Sequence, residues 1–188
     1  MEVMRLVVTG PVGAGKSTFI RTISEIGAVD TDRQATDETA QLKQGTTVAL
    51  DFGRLQFNSQ MVLHLYGTPG QSRFDFMWDL LISKAHAYML LVPSHRPAEF
   101  RQAKLILNFM QQRTDVPMII GLTHQDCENA WDAGSIAAVL GFSQAKMPPK
   151  MIGVDANSKR SVAAAIIGLL KQYVIEAAPQ KAVALHSH

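Results

Sequence analysis

The chain has 188 residues, of which 47% are hydrophobic and 18% are charged. This length suits one domain with a buried core, and the composition excludes an intrinsically disordered chain. A formal net charge of +2, without runs of Lys or Arg, gives no support for nucleic-acid binding. The single cysteine, Cys127, excludes an intrachain disulfide and is typical of a reducing compartment, so we expect a cytoplasmic protein. We find no signal peptide, apolar span or lipidation motif and expect no direct membrane anchor.

Apolar runs and amphipathic segments alternate along the first half of the chain. The run MRLVVTG (4–10) predicts a buried strand, and the apolar spacing after Lys16 predicts a helix. Residues 28–46 are polar and aperiodic, which predicts a long loop. Two strands near 47–55 and 61–66 are expected to form a hairpin, and SRFDFMWDLLISKA, which includes Trp78, is expected to be a helix.

The same alternation continues to the end of the chain. The further predicted elements are a strand at 87–93, a helix marked by Phe100, Ala103, Leu107 and Met110, a strand at 117–123, a helix at 131–141 and a strand at 150–154. The last predicted element is a helix at about 158–177, with Val162, Ile166, Leu170, Tyr173 and Val174 inward. This pattern predicts an α/β fold, a three-layer, mostly parallel six-stranded sheet with helices on both faces. We expect one domain over residues 1–178 and a flexible tail over 179–188.

A glycine-rich segment follows the first predicted strand. GPVGAGKST (10–18) fits the pattern G-x-x-x-x-G-K-[ST], with a strand before it and a helix after it. Its glycines allow the backbone amides to point inward around phosphate oxygens, Lys16 reaches the β- and γ-phosphates, and the Ser17 hydroxyl binds Mg²⁺. We therefore predict a nucleotide-phosphate site formed by Gly10, Gly13, Ala14, Gly15, Lys16, Ser17 and Thr18.

Two further segments resemble the switch regions of Ras-superfamily GTPases. TVALDFG (47–53) is similar to switch I and YGTPGQSRF (66–74) to switch II, and the P-G-Q form resembles bacterial gliding-polarity GTPases. The resemblance implies a small G-domain with GTP, GDP and Mg²⁺ as ligands. It assigns Mg²⁺ binding and γ-phosphate sensing to Thr47, a γ-phosphate contact to the Gly70 amide, and orientation of the attacking water to Gln71. Thr47 also suits a structural role in a strand, and T-P-G-Q also suits a turn.

The predicted base-binding segments follow the last two strands. GLTHQD (121–126) resembles N/T-K/Q-x-D, in which the carboxylate of Asp126 accepts two hydrogen bonds from guanine, while Thr123 and His124 replace the commoner Asn and Lys. VDANSK (154–159) lies where the family has S-A-K, so Ala156 and Asn157 are predicted to contact the base. Helix capping by Asn157 or Ser158 is an equally good interpretation.

Two residues depart from the usual GTPase pattern. Gly67 stands where most switch-type nucleotidases have an Asp that holds a magnesium-bound water, so we expect weaker coupling to Mg²⁺. Val12 stands where many relatives have Gly and is expected to crowd the γ-phosphate. We therefore predict slow unassisted turnover, with Arg54, Arg73 or, less well placed, Arg33 as arginines that could act in cis.

His64, His86 and His95 lack the spacing of a zinc site.

The favoured function is a GTP-binding molecular switch that hydrolyses GTP slowly, with Gln71, Lys16 and Thr47 in catalysis. The alternative is a pseudo-GTPase scaffold that binds guanine nucleotide without significant hydrolysis. A small-molecule kinase would need an arginine-rich lid, which the sequence lacks. The family resemblance further implies a roadblock/longin-type regulatory protein or another activator as partner and leaves a homodimer open.

Overall fold

A computed structural model describes residues 2–26, 50–69 and 75–184, with the side chains of 75–76 and 176–184 excepted. Its strands are β1 (Glu2–Thr9), β2 (Asp51–Gln56), β3 (Met61–Gly67), β4 (Ala87–Pro93), β5 (Met118–Thr123) and β6 (Met151–Gly153). They form one sheet in the order β2-β3-β1-β4-β5-β6. The β2 strand pairs antiparallel with β3, and the other pairings are parallel. The predicted α/β fold with a mostly parallel six-stranded sheet is confirmed.

Helices cover both faces of this sheet. They are α1 (Lys16–Ile23), α2 (Asp75–Ile82), α3 (Phe100–Gln111), α4 (Ala133–Leu140) and α5 (Lys159–Ala184), and a short 3-10 turn spans Pro97–Glu99. Side chains from α2, α3 and α4 pack on one face, and side chains from α1 and α5 pack on the other, which gives the three layers. Trp78 is buried in the first of these cores. None of the helices in the described ranges is long and apolar enough to cross a membrane.

The last helix differs from its prediction in two respects. It continues to Ala184 rather than ending near residue 177, because the segment EAAPQKAVA (176–184) is rich in good helix formers despite its proline. Val174 was predicted inward but is 64% exposed. Residues four apart advance about 40° beyond a full turn, so Val174 lies about 120° around the helix from Val162. The predicted loop over 28–46 lies outside the described residues.

The sheet topology brings the candidate segments to one edge. The carboxyl ends of β1, β4 and β5 lie side by side because these strands are parallel neighbours. The antiparallel register pairs Asp51, the first residue of β2, with Gly67, the last residue of β3, so the start of β2 reaches the same edge. Ligands of open α/β sheets bind at this edge, outside the carboxyl ends of the strands.

Candidate functional site

The loop between β1 and α1 turns through three glycines in conformations that other residues rarely adopt. Gly10, Gly13 and Gly15 have φ angles of 144°, 75° and 90°. At Gly10 a Cβ atom would lie 2.3 Å from the carbonyl oxygen of Leu91 in β4, so the backbone lies directly against the neighbouring strand. This conformation, followed immediately by the N-terminus of α1, is the concave arrangement of amides that binds anions.

Lys16 is held inside this loop. Its ammonium group donates hydrogen bonds to the carbonyl oxygens of Gly10, at 2.8 Å, and Pro11, at 2.7 Å. The side chain is buried, and burial lowers the pKa of Lys16 from 10.5 to about 8, although Asp51 and Glu99 oppose the shift. A cation held in this way would be stabilised by an anion arriving in the loop.

A carboxylate that the sequence analysis did not assign lies beside Ser17. The Ser17 hydroxyl donates a hydrogen bond of 2.5 Å to Oδ2 of Asp51. A Cβ atom built on Gly67 would lie 2.9 Å from Cβ of Asp51 and 3.2 Å from its Oδ2. The side chain of Asp51 thus occupies the space beside Gly67, and an acid is present next to Ser17 even though residue 67 has no side chain.

The segment after β5 is tied directly to the phosphate loop. The buried hydroxyl of Thr123 lies 3.0 Å from the carbonyl oxygen of Ala14 and 3.3 Å from that of Val92. His124 has a φ of 57° and packs its ring against His95, with centroids 4.3 Å apart. Asp126 is exposed two residues further on.

The segment before α5 reaches the same place. Thr22 of α1 donates to the carbonyl oxygen of Ala156 at 2.7 Å, and a Cβ atom on Gly15 would lie 3.5 Å from the Ala156 Cβ. Asn157 is exposed, and its amide donates to Oδ1 of Asp155. The Ser158 hydroxyl accepts from the Ser161 amide at 3.3 Å, so Ser158 rather than Asn157 caps the helix.

Several predicted residues lie outside the described part of the chain: Arg33, Thr47, Gly70, Gln71 and Arg73. Their roles stay predictions. Thr18 is half-buried on α1, and the Val12 side chain is 51% exposed at the rim of the loop.

Arg54 lies away from the phosphate loop, and His86 contacts the backbone of β1. Arg54 pairs with His64, three positions along β2 from Asp51 and roughly 10 Å from the edge at the usual rise per residue. Nδ1 of His86, the residue before β4, accepts a hydrogen bond from the Arg5 amide of β1 at 2.9 Å. The described residues contain no group of three His, Cys, Asp or Glu side chains able to hold a metal ion.

Solved structures show the same fold. The Arl6 BBS3 small GTPase from Trypanosoma brucei, solved with the bound nucleotide analogue GppNp, superposes with a TM-score of 0.70. The match covers 92% of this chain and 98% of the GTPase at 14% sequence identity. At this identity the likeness establishes the small-GTPase fold and no more.

A curated archaeal relative covers part of the chain. The uncharacterized protein MJ1339 of Methanocaldococcus jannaschii is 29% identical over 94 residues, which are 50% of this chain and 53% of that protein. The chain thus spans about half the length of this relative. The gliding-polarity group suggested by P-G-Q stays a prediction.

A protein-family model matches most of the chain. The family is described as "Conserved hypothetical ATP binding protein", and the match covers residues 27–179. This segment begins after the phosphate loop, so the loop and the family match are separate observations that both indicate nucleotide binding. The fold of the chain is that of a small P-loop GTPase. The chain belongs to this conserved hypothetical ATP-binding protein family.

Proposed function

We propose that the protein is a guanine-nucleotide-binding switch that hydrolyses GTP slowly to GDP in the presence of Mg²⁺. One observation supports this most strongly: the Thr123 hydroxyl bonds to Ala14, and so joins the segment proposed to bind the base to the loop proposed to bind phosphates. A nucleotide needs both contacts at once, and the two segments are 109 residues apart in the chain.

Guanine is favoured over adenine by Asp126. A carboxylate accepts hydrogen bonds from both N1–H and the 2-amino group of guanine, and adenine offers no such pair of donors. The family description names ATP, which is therefore the competing ligand. The variant Asp126→Asn replaces one acceptor by a donor, which matches the 2-oxo group of xanthine. We expect this variant to lose GTP affinity and to gain affinity for xanthosine triphosphate.

Ser17 and Asp51 would hold Mg²⁺. A hydroxyl and a carboxylate supply the hard oxygen atoms that this ion prefers, and they already lie 2.5 Å apart. When bound, Mg²⁺ neutralises charge that develops on the β- and γ-phosphate oxygens. Asp51 thereby replaces the carboxylate that is missing at Gly67, and we propose normal rather than weakened dependence on Mg²⁺. Thr47 is proposed as a further ligand.

The proposed switch would act through the segments around Thr47 and around Gly70–Gln71. Gln71 would orient the attacking water, and Val12 at the rim would keep unassisted turnover slow. Next to switch II, the indole of Trp78 donates to the carbonyl oxygen of Pro69 at 3.0 Å. A change in switch II is therefore transmitted to α2, where we propose that a regulatory partner of the roadblock/longin type detects it.

The experiment identifies the nucleotide and its fate. Purified protein is denatured and the released nucleotide is chromatographed; guanine nucleotide supports the proposal and adenine nucleotide contradicts it. Single-turnover hydrolysis of GTP is then followed for wild type and Gln71→Ala. Cleavage by wild type that is lost in the variant supports the switch. Guanine nucleotide without cleavage, even with a cognate partner, identifies a pseudo-GTPase scaffold instead.

A further inference from the structure

Arg96 lies in a rigid turn directly after β4. Its amide donates to the carbonyl oxygen of Pro93 at 3.0 Å, and its own carbonyl oxygen accepts from the Glu99 amide at 2.9 Å. Pro97, the next residue, fixes the backbone further because its ring restricts φ. The direction in which the Arg96 side chain leaves the backbone is thus set by the turn.

The guanidinium of Arg96 lies on the backbone of Gly13 in the phosphate loop. A Cβ atom built on Gly13 would lie 2.6 Å from Nη1 of Arg96 and 3.5 Å from its Cζ. The side chain of Arg96 is exposed, and it forms no hydrogen bond or ion pair within the described ranges. A positively charged group, whose donors bind no residue in the described part of the chain, is therefore positioned at the opening of the anion-binding loop.

An anion in this loop would lie within reach of that guanidinium. The amides that form the loop lie on both sides of Gly13. A phosphate bound to them would therefore lie next to the residue that the Arg96 guanidinium contacts. The planar guanidinium presents paired donors that match two oxygens of one phosphate, and such charge-assisted hydrogen bonds are the strong ones. Lys16 approaches from the buried side of the loop, whereas Arg96 approaches from the exposed side.

We propose that Arg96 is a phosphate-binding residue of the nucleotide site and contacts the diphosphate portion common to GDP and GTP. This inference rests on the proposed function. It differs from a catalytic arginine, which would act on the γ-phosphate in the transition state alone. Arg54 lies three positions along β2 from Asp51, the residue of that strand at this edge. Arg96 strengthens the binding of both nucleotides by a similar factor.

The test compares Arg96→Ala with Arg96→Lys and with the control Arg101→Ala, which removes an exposed arginine one turn further on in α3. Dissociation constants for GDP and GTP are measured by calorimetry with Mg²⁺. We expect Arg96→Ala to weaken both about 10- to 100-fold, Arg96→Lys to lie between, and Arg101→Ala to match wild type. The loss in Arg96→Ala should shrink as salt is raised.

Inorganic pyrophosphate serves as a second probe because it binds the loop without a base. Unchanged affinities for GDP, GTP and pyrophosphate in Arg96→Ala would overturn the inference and leave the proposed function intact. A loss of hydrolysis with unchanged affinities would also overturn it, since Arg96 would then be catalytic. Pyrophosphate binding that depends on Arg96, in a protein that binds no guanine nucleotide, would support the inference and contradict the proposed function. No binding of any of the three would contradict both.

Discussion

The close contact between Gly67 and Asp51 predicts a specific pattern of stability changes. The variant Gly67→Ala adds a Cβ atom that would lie 2.9 Å from Cβ of Asp51 and 2.9 Å from Cδ1 of Ile20. The Ile20 methyl is the end of a side chain and can move, although Ile20 is buried. The Asp51 Cβ is fixed to the backbone of the paired strand and cannot. We expect Gly67→Ala to lower the free energy of unfolding by about 2 kcal/mol, typical of an overpacked core.

Two substitutions at Asp51 separate this contact from the loss of the carboxylate. Both Asp51→Gly and Asp51→Ala remove the acceptor of the Ser17 hydrogen bond, which costs about 1–3 kcal/mol. Only Asp51→Gly also removes the Cβ that meets the new methyl. We therefore expect Gly67→Ala to be less harmful by about 1 kcal/mol in the Asp51→Gly background than in wild type, and unchanged in the Asp51→Ala background.

The assay is equilibrium unfolding in urea of the nucleotide-free proteins at pH 7. Fluorescence and circular dichroism are recorded together, because coincident curves are needed to treat the transition as two-state. If the effects of Gly67→Ala and Asp51→Gly on the free energy of unfolding add within about 0.5 kcal/mol, the two Cβ positions do not conflict and the prediction is wrong. Equal coupling in both Asp51 backgrounds would refute it as well, because the carboxylate rather than the Cβ would then be responsible.

Three further predictions concern ionisable groups. Asp51→Ala should raise the Mg²⁺ concentration needed for half-maximal GTP binding about 10- to 100-fold, measured by titration at constant GTP, and an unchanged requirement would remove Asp51 from the site. The pKa of Lys16 is about 8 in the free protein and rises beside bound phosphate, so GTP binding should take up a proton at pH 9 and almost none at pH 7. Calorimetry in buffers of different ionisation enthalpy measures this uptake, and equal uptake at both values would contradict it. Burial, reinforced by the charge of Arg5, lowers the pKa of His86 below 6.5, so the unfolded state binds a proton first and stability falls as pH drops through 6.5. His86→Asn retains an acceptor without a titrating ring and should show a smaller fall between pH 7 and 5.5 in urea unfolding, where an identical fall would exclude His86.

The sequence predicted the sheet and the phosphate loop because both depend on local patterns. Apolar runs identified β1, β4 and β5, and the spacing of three glycines before Lys16 identified the loop. Thr123 was assigned to the base-binding segment from the resemblance of GLTHQD to N/T-K/Q-x-D, and its hydroxyl lies against the loop at Ala14. Its contact with a base stays a prediction. The sequence did not decide whether Asn157 or Ser158 caps the last helix, because both side chains are good N-cap residues. The structure assigns the cap to Ser158.

The roles of Asp51 and Arg96 depend on non-local geometry. Asp51 faces Gly67 because of the register of the hairpin, which one sequence does not specify to the residue. Arg96 reaches Gly13 because of a turn and a 3-10 segment, although a charged residue just after a buried strand was a usable signal. Gly67 considered alone predicts weak Mg²⁺ coupling, whereas the proposal of normal coupling depends on Asp51, which lies beside it in the paired strand.

The most direct test of guanine-nucleotide binding is a calorimetric titration of nucleotide-stripped protein with GTP and with ATP in the presence of Mg²⁺. We expect saturable binding of GTP, with ATP weaker by at least about 100-fold, since the paired hydrogen bonds to Asp126 cannot form with adenine. ATP bound as tightly as GTP, or no binding of either, would contradict it.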